Sequence, residues 1–91
     1  MDKCALITGA TRGIGKQIAI TLSKQGYNIA LNYRKENEEL ENTKKEIEKI
    51  GVQILAVKGD VANFEDCENF VKQVIERFGQ IDVLVNNAGI T

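Results

Sequence analysis

The chain begins with a solid apolar run, Cys4-Ala5-Leu6-Ile7, without the polar alternation of a half-solvated strand. Such a run fits a strand covered on both faces, and residues 4–8 are the first predicted strand. The period then changes. Ile14, Ile18 and Leu22 recur every four residues, which predicts a helix over 13–25 with one apolar face. A second strand is predicted over 28–33, then a second helix over 38–50 capped by Asn37. That helix has only a thin apolar stripe, Leu40, Ile47 and Ile50, and Glu41 and Lys45 are spaced to pair one turn apart on its solvated side. A third strand is predicted over 52–58 and a third helix over 64–78. Asn63 caps this helix, Asp66 adds an acid to its first turn, and Phe64, Cys67, Val71, Val74, Ile75 and Phe78 form a broad apolar face. A last strand, 82–85, runs directly into Asn86-Asn87-Ala88-Gly89. Gly26, Gly51 and Gly79 each close a helical stretch, where a left-handed residue ends the helix.

Strands that alternate with helical crossovers define an α/β protein. Right-handed crossovers make the pairing parallel and place helices on both faces. The expected architecture is the first half of a Rossmann-type doubly wound parallel sheet, β-α-β-α-β-α-β, with strand order 3-2-1-4. With no proline and no repeat, residues 1–91 read as one unit. The fourth strand would stand as an open apolar edge, so the chain is expected to be a fragment cut before a catalytic half.

Composition narrows the classes. Twelve Lys and Arg against thirteen Asp and Glu give a net charge of −1 and a pI of about 5.4. That balance excludes a strongly basic nucleic-acid binder. Apolar runs this short exclude a spanning helix and a secretory signal, so no membrane partner and a cytoplasmic location are expected. Without histidine, and with Cys4 and Cys67 far apart, no metal site is expected.

Thr8-Gly9-Ala10-Thr11-Arg12-Gly13-Ile14-Gly15 joins the first strand to the first helix. A bound pyrophosphate needs free backbone N–H groups and the positive end of a helix dipole. In this reading Gly9 turns the chain, Gly13 lets the backbone approach the ligand, and Gly15 lets the helix pack close to the sheet. At the end of the second strand, Asn32-Tyr33-Arg34 lacks the acid that would grip the ribose hydroxyls of NAD. Arg34 and Arg12 instead suit a 2′-phosphate, which favours NADP; the alternative is that both are surface charges and Glu36 takes the ribose. Asp60 could accept from the adenine amino group, with Val61 packed on the ring, or could cap the turn into the third helix. Asn86 is read mainly as a support and Asn87 as a cofactor contact, with Ala88 and Gly89 completing the turn. All four sites follow the carboxyl end of a strand, where ligands bind in open parallel sheets.

These motifs, Thr-Gly-x-x-x-Gly-Ile-Gly, Asp60-Val61 and Asn-Asn-Ala-Gly, together resemble the short-chain dehydrogenase/reductase family from Cys4 to Thr91. Their finer texture is similar to the bacterial members that reduce 3-oxoacyl-[acyl-carrier-protein] thioesters in fatty acid synthesis, and to acetoacetyl-CoA reductases. The resemblance implies that Gly9, Ala10, Thr11, Arg12, Ile14, Arg34, Asp60, Val61 and Asn87 contact NADP. It also implies an acyl-carrier-protein substrate and a homotetramer for the intact enzyme. The family's Tyr-x-x-x-Lys is missing: four residues beyond Tyr27 and Tyr33 stand Leu31 and Asn37. No catalytic residue is therefore expected in this chain. Rival readings are another short-chain alcohol or sugar dehydrogenase, or a non-catalytic nucleotide-binding module.

Overall fold

A computed structural model describes residues 3–9 and 13–87. The elements run β1 (Cys4–Ile7), α1 (Gly13–Lys24), β2 (Asn28–Tyr33), α2 (Glu38–Ile50), β3 (Ile54–Lys58), α3 (Phe64–Phe78) and β4 (Val83–Val85). The sheet is parallel, in the expected order β3-β2-β1-β4. β1 is central and buried along its length, and pairs Ala5 with Ile29 on one side and with Val83 on the other.

Side chains of β1 and β2 alternate between two cores. Ala5, Ile7, Ile29 and Leu31 pack with Ala19 of α1 and with Leu40 and Ile47 of α2. Cys4, Leu6 and Ala30 pack on the opposite face with Val57, Phe70 and Val74. Helices thus cover both faces, α1 and α2 on one and α3 on the other. Burial, with the Asp82 carboxylate nearby, pushes the Cys4 thiol up to about 11, which makes it a core residue rather than a nucleophile.

Four boundaries move, each because a specific group takes over the strand's or helix's bonding. β3 starts at Ile54, since the Gln53 N–H donates to the Asn28 side chain at 2.9 Å. β4 starts at Val83 because Asp82 closes on Cys4 with its carboxylate as well as its backbone, each at 2.8 Å. α1 ends at Lys24, where Gln25 and Gly26 donate to carbonyls three residues back and tighten the last turn. β1 ends at Ile7, and Thr8 turns toward β4 through its bond to the Val85 carbonyl.

Two faces also differ from expectation. The buried face of α1 is Gly15, Ala19 and Ser23, whereas Ile14 is 68% exposed. Small residues let this helix lie close to the sheet; of the expected stripe, Ile18 and Leu22 stay half-buried against the core and only Ile14 is turned out. In α3 the expected apolar face divides: Val74 is buried, Cys67 and Phe78 are half-buried, and Phe64, Val71 and Ile75 are exposed, while Phe70, outside that set, is buried. On α2 Thr43 joins the inward stripe, its hydroxyl donating to the Glu39 carbonyl at 2.8 Å. Glu41 and Lys45 form no ion pair; the bridge from this helix is Glu46 to Lys16 of α1, at 3.4 Å. The α2 and α3 caps are as expected: the Asn37 and Asn63 side chains accept from Leu40 and Asp66, and left-handed Gly51 and Gly79 close the helices.

Candidate cofactor site

Because every described strand is parallel, their carboxyl ends and the turns that follow meet on one rim. The turn after β1 is the best fixed. Gly9 has φ +64, its N–H donates to Asn32 Oδ1 at 2.9 Å, and its carbonyl accepts from Asn87 Nδ2 at 3.1 Å. Thr8 Oγ1 accepts the Asn87 N–H at 2.8 Å and reaches Asn86 Oδ1 at 3.3 Å. One residue is thereby held on both sides of its Cα, from β2 and from the turn after β4. It also follows that the Gly9 N–H is committed within the protein and cannot donate to a ligand.

Among the described residues, donors for an anion are offered by the start of α1, where the first-turn N–H groups have no intrahelical partner. Gly13 opens this helix at φ +63, and nothing lies within 4 Å of where its Cβ would be. The first turn of α1 carries no acid, whereas α2 begins with Glu38, Glu39 and Glu41 and α3 with Glu65 and Asp66. Alone among the three, α1 leaves its positive end uncompensated by carboxylates, which fits a phosphate. Ile14 is exposed beside that opening and Gly15 is buried beneath it.

The turns after β2 and β3 form the second part of the rim. Arg34 is 77% exposed and its guanidinium lies 3.7 Å from Asp60 Oδ2. Asp60 is fixed by its own turn, its Oδ1 accepting the Ala62 N–H and its N–H donating to Asp66 Oδ2, both at 2.9 Å. Asp60 thus caps the turn into α3, and Asn63 caps the helix itself. A Cβ on Gly59 would meet Asp66 Cβ at 3.2 Å, so the bare residue allows this tight approach. Val61 is half-buried in the same turn. Glu36, the alternative ribose partner, accepts from the Tyr33 hydroxyl at 3.4 Å.

Of the expected set, Gly9, Gly13, Ile14, Gly15, Arg34, Asp60, Val61 and Asn87 are described; Ala10, Thr11, Arg12, Ala88 and Gly89 lie outside the described residues. Neither tyrosine is poised for proton transfer. Tyr27 precedes the amino end of β2, under the Lys3 ammonium, away from the rim. Partial burial and then the Glu36 carboxylate raise the Tyr33 phenol above its ordinary 10.0, opposite to the shift a neutral-pH proton donor needs. Sequence reasoning missed Asn32, whose side chain touches both Gly9 and Gly59. Its signal was a carboxamide at the end of an otherwise apolar run. An open apolar groove of about 720 Å³ runs down the flank of α1 against Val83 and Val85, lined by Ile14, Ile18 and Leu22. Among the described residues no helix is long and apolar enough to cross a membrane.

Comparison with known proteins agrees with this geometry. The family model described as short chain dehydrogenase matches residues 3–91. The 3-oxoacyl-[acyl-carrier-protein] reductase FabG of Staphylococcus epidermidis is 46% identical over 91 residues, covering 100% of this chain and 37% of that protein. General stress protein 39 of Bacillus subtilis is 44% identical over 87 residues, 96% of this chain and 30% of the relative. Among solved structures, a variant of the actinorhodin polyketide ketoreductase with NADPH superposes with a TM-score of 0.87 at 44% identity, covering 96% of this chain and 33% of that one. The chain thus spans about a third of the length of the curated relatives it matches.

Proposed function

The chain belongs to the short chain dehydrogenase family, and from that premise we propose that it is the NADP-binding part of a reductase acting on 3-oxoacyl-[acyl-carrier-protein] thioesters. The observation that carries the cofactor reading is the rim itself: an uncompensated helix start behind Gly13 beside a fixed turn that presents Arg34. In this reading the amides at the start of α1 hold the pyrophosphate, and Arg34 takes the 2′-phosphate by charge-assisted donation. Asp60 and Val61 flank the adenine, and Asn87 acts through Gly9, whose carbonyl it holds. When bound, the nicotinamide would supply the hydride for a carbonyl carbon, and the protein would supply orientation. The proton donor, the acyl-carrier-protein contacts and the tetramer interface are assigned to sequence outside this chain, in the cytoplasm. The substrate reading is supported by the 46% identity to FabG. Similar identity to a polyketide ketoreductase favours, as a second reading, a reductase of other β-keto thioesters.

Titration of the protein with NADP⁺ and NAD⁺ tests the cofactor assignment. Arg34→Ala is expected to weaken NADP⁺ by about tenfold or more, as loss of a charged hydrogen-bond donor predicts, and to leave NAD⁺ nearly unchanged. Equal losses for both cofactors would remove the 2′-phosphate role.

A further inference from the structure

Asn32, the penultimate residue of β2, is 4% exposed, and its carboxamide is spent on two turns that follow different strands. Oδ1 accepts from the Gly9 N–H at 2.9 Å and Nδ2 donates to the Gly59 carbonyl at 3.2 Å. Among the described residues, these are the side-chain hydrogen bonds that link the turn after β1 to the turn after β3. We infer that Asn32 is a positioning residue that fixes the phosphate-side turn at Gly9 relative to the adenosine-side turn at Gly59-Asp60, so that the two ends of the cofactor site hold one spacing. This inference rests on the cofactor reading above and adds a residue to it that touches no cofactor.

The chemistry demands a carboxamide. One acceptor and one donor must leave the same planar group toward two fixed backbone atoms. A carboxylate keeps the acceptor but sets a second oxygen against the Gly59 carbonyl, and an alkyl side chain leaves both backbone groups unpaired. The role is also separable from holding the sheet together. The β2–β3 ladder runs from Ile29 paired with Ile54 to Tyr33 paired with Lys58, and the Gly59 N–H still donates to the Tyr33 carbonyl at 2.9 Å. β1 pairs with β2 from Cys4 to Ile7 without this side chain. Losing the amide therefore frees the turns while leaving the strands paired, and Gly9 can then pivot about its remaining bond to Asn87.

The test is calorimetric titration of the protein with NADP⁺ and with adenosine 2′,5′-bisphosphate, in the wild type, N32A, N32D and V74A. Val74 is a fully buried core residue on α3, so V74A reports what lost stability alone does to binding. N32A is expected to weaken both probes by about tenfold or more, the effect of leaving buried partners unpaired. V74A is expected to lower the thermal midpoint and leave both affinities unchanged. N32D adds a readout that lost stability would not reproduce. Its protonated acid can accept from Gly9 and donate to Gly59 as the amide does, so its affinity relative to wild type should recover between about pH 8 and about pH 5.5, the range into which burial raises a carboxylic acid. Arg34, Asp60 and Asp66, with Tyr33 and Lys58 beside them, are present in both proteins, so their own effect on cofactor binding divides out of that ratio, while their effect on the introduced acid sets only where it titrates. Should N32A fail to fold, the N32D ratio decides alone. Unchanged affinity in N32A, a loss in V74A equal to that in N32A, or an N32D ratio flat with pH overturns the inference. Absence of NADP⁺ binding in the wild type overturns the cofactor reading itself, and this inference with it.

Discussion

Strands β2 and β4 both pair in parallel with β1, and both are built around aliphatic residues, yet they are held by different forces. β2 is buried from Asn28 to Asn32, with β3 beyond it and helices above and below. β4 is only half-buried, and Leu84 at its centre is 67% exposed. What β4 has instead is a polar clasp at each end. Asp82 bonds to Cys4 below, and Thr8 engages Val85, Asn86 and Asn87 above. Hydropathy alone ranks β4, Val-Leu-Val, above β2, which carries two asparagines and a tyrosine; their place in the sheet decides which is fastened by burial and which by its ends.

Substitutions can break this contrast, beginning where burial is deepest. Leu31→Ala, in the core of β2, should cost about 2–5 kcal/mol in urea denaturation, through lost burial and the cavity left behind. A cost below about 1 kcal/mol would mean that β2 is not fastened by its core. The clasp at the foot of β4 should show itself in acid. The Cys4 N–H, then Gln80, hold the Asp82 carboxyl below its ordinary 3.8. Its contribution is thus complete above that value and is lost as the pH falls through the lower folded value. Asp82→Asn should flatten the fall of stability below about pH 4, and an unaltered acid limb would dismiss the clasp. The smallest effect belongs to Leu84→Ala, expected within about 0.5 kcal/mol because the side chain is mostly in solvent already. A large loss there would show that β4 is buried in solution after all.

The sheet order and the two later helices were legible in the sequence because punctuation marks them. Asn37 with Gly51, and Asn63 with Gly79, bound α2 and α3 at the expected residues. The face of α1 was legible in part: Ile18 and Leu22 pack against the core as their spacing expects, but the fully buried line is Gly15, Ala19 and Ser23, where close approach outweighs size. The rim was legible as a set of strand ends, but its wiring was not. Asn32 bonds to partners 23 and 27 residues away, and only folding reveals them. The same applies to Asn87, expected at the cofactor and found with its amide on Gly9, and to Gly9 itself, whose N–H serves the fold.

The link between β1 and β4 also carries a kinetic consequence. Cys4 and Asp82 stand 78 residues apart, whereas the other neighbouring strands are joined through single helical crossovers. Closing a chain segment costs more entropy as it lengthens, about 0.6 kcal/mol for each doubling, and distant pairings slow folding. The β1-α1-β2-α2-β3 portion can assemble from nearer partners, while β1 keeps one flank open until nearly the whole chain is available. Sequence separation therefore predicts that sheet closure by β4, which brings Asn87 onto Gly9, is the last of these contacts to form.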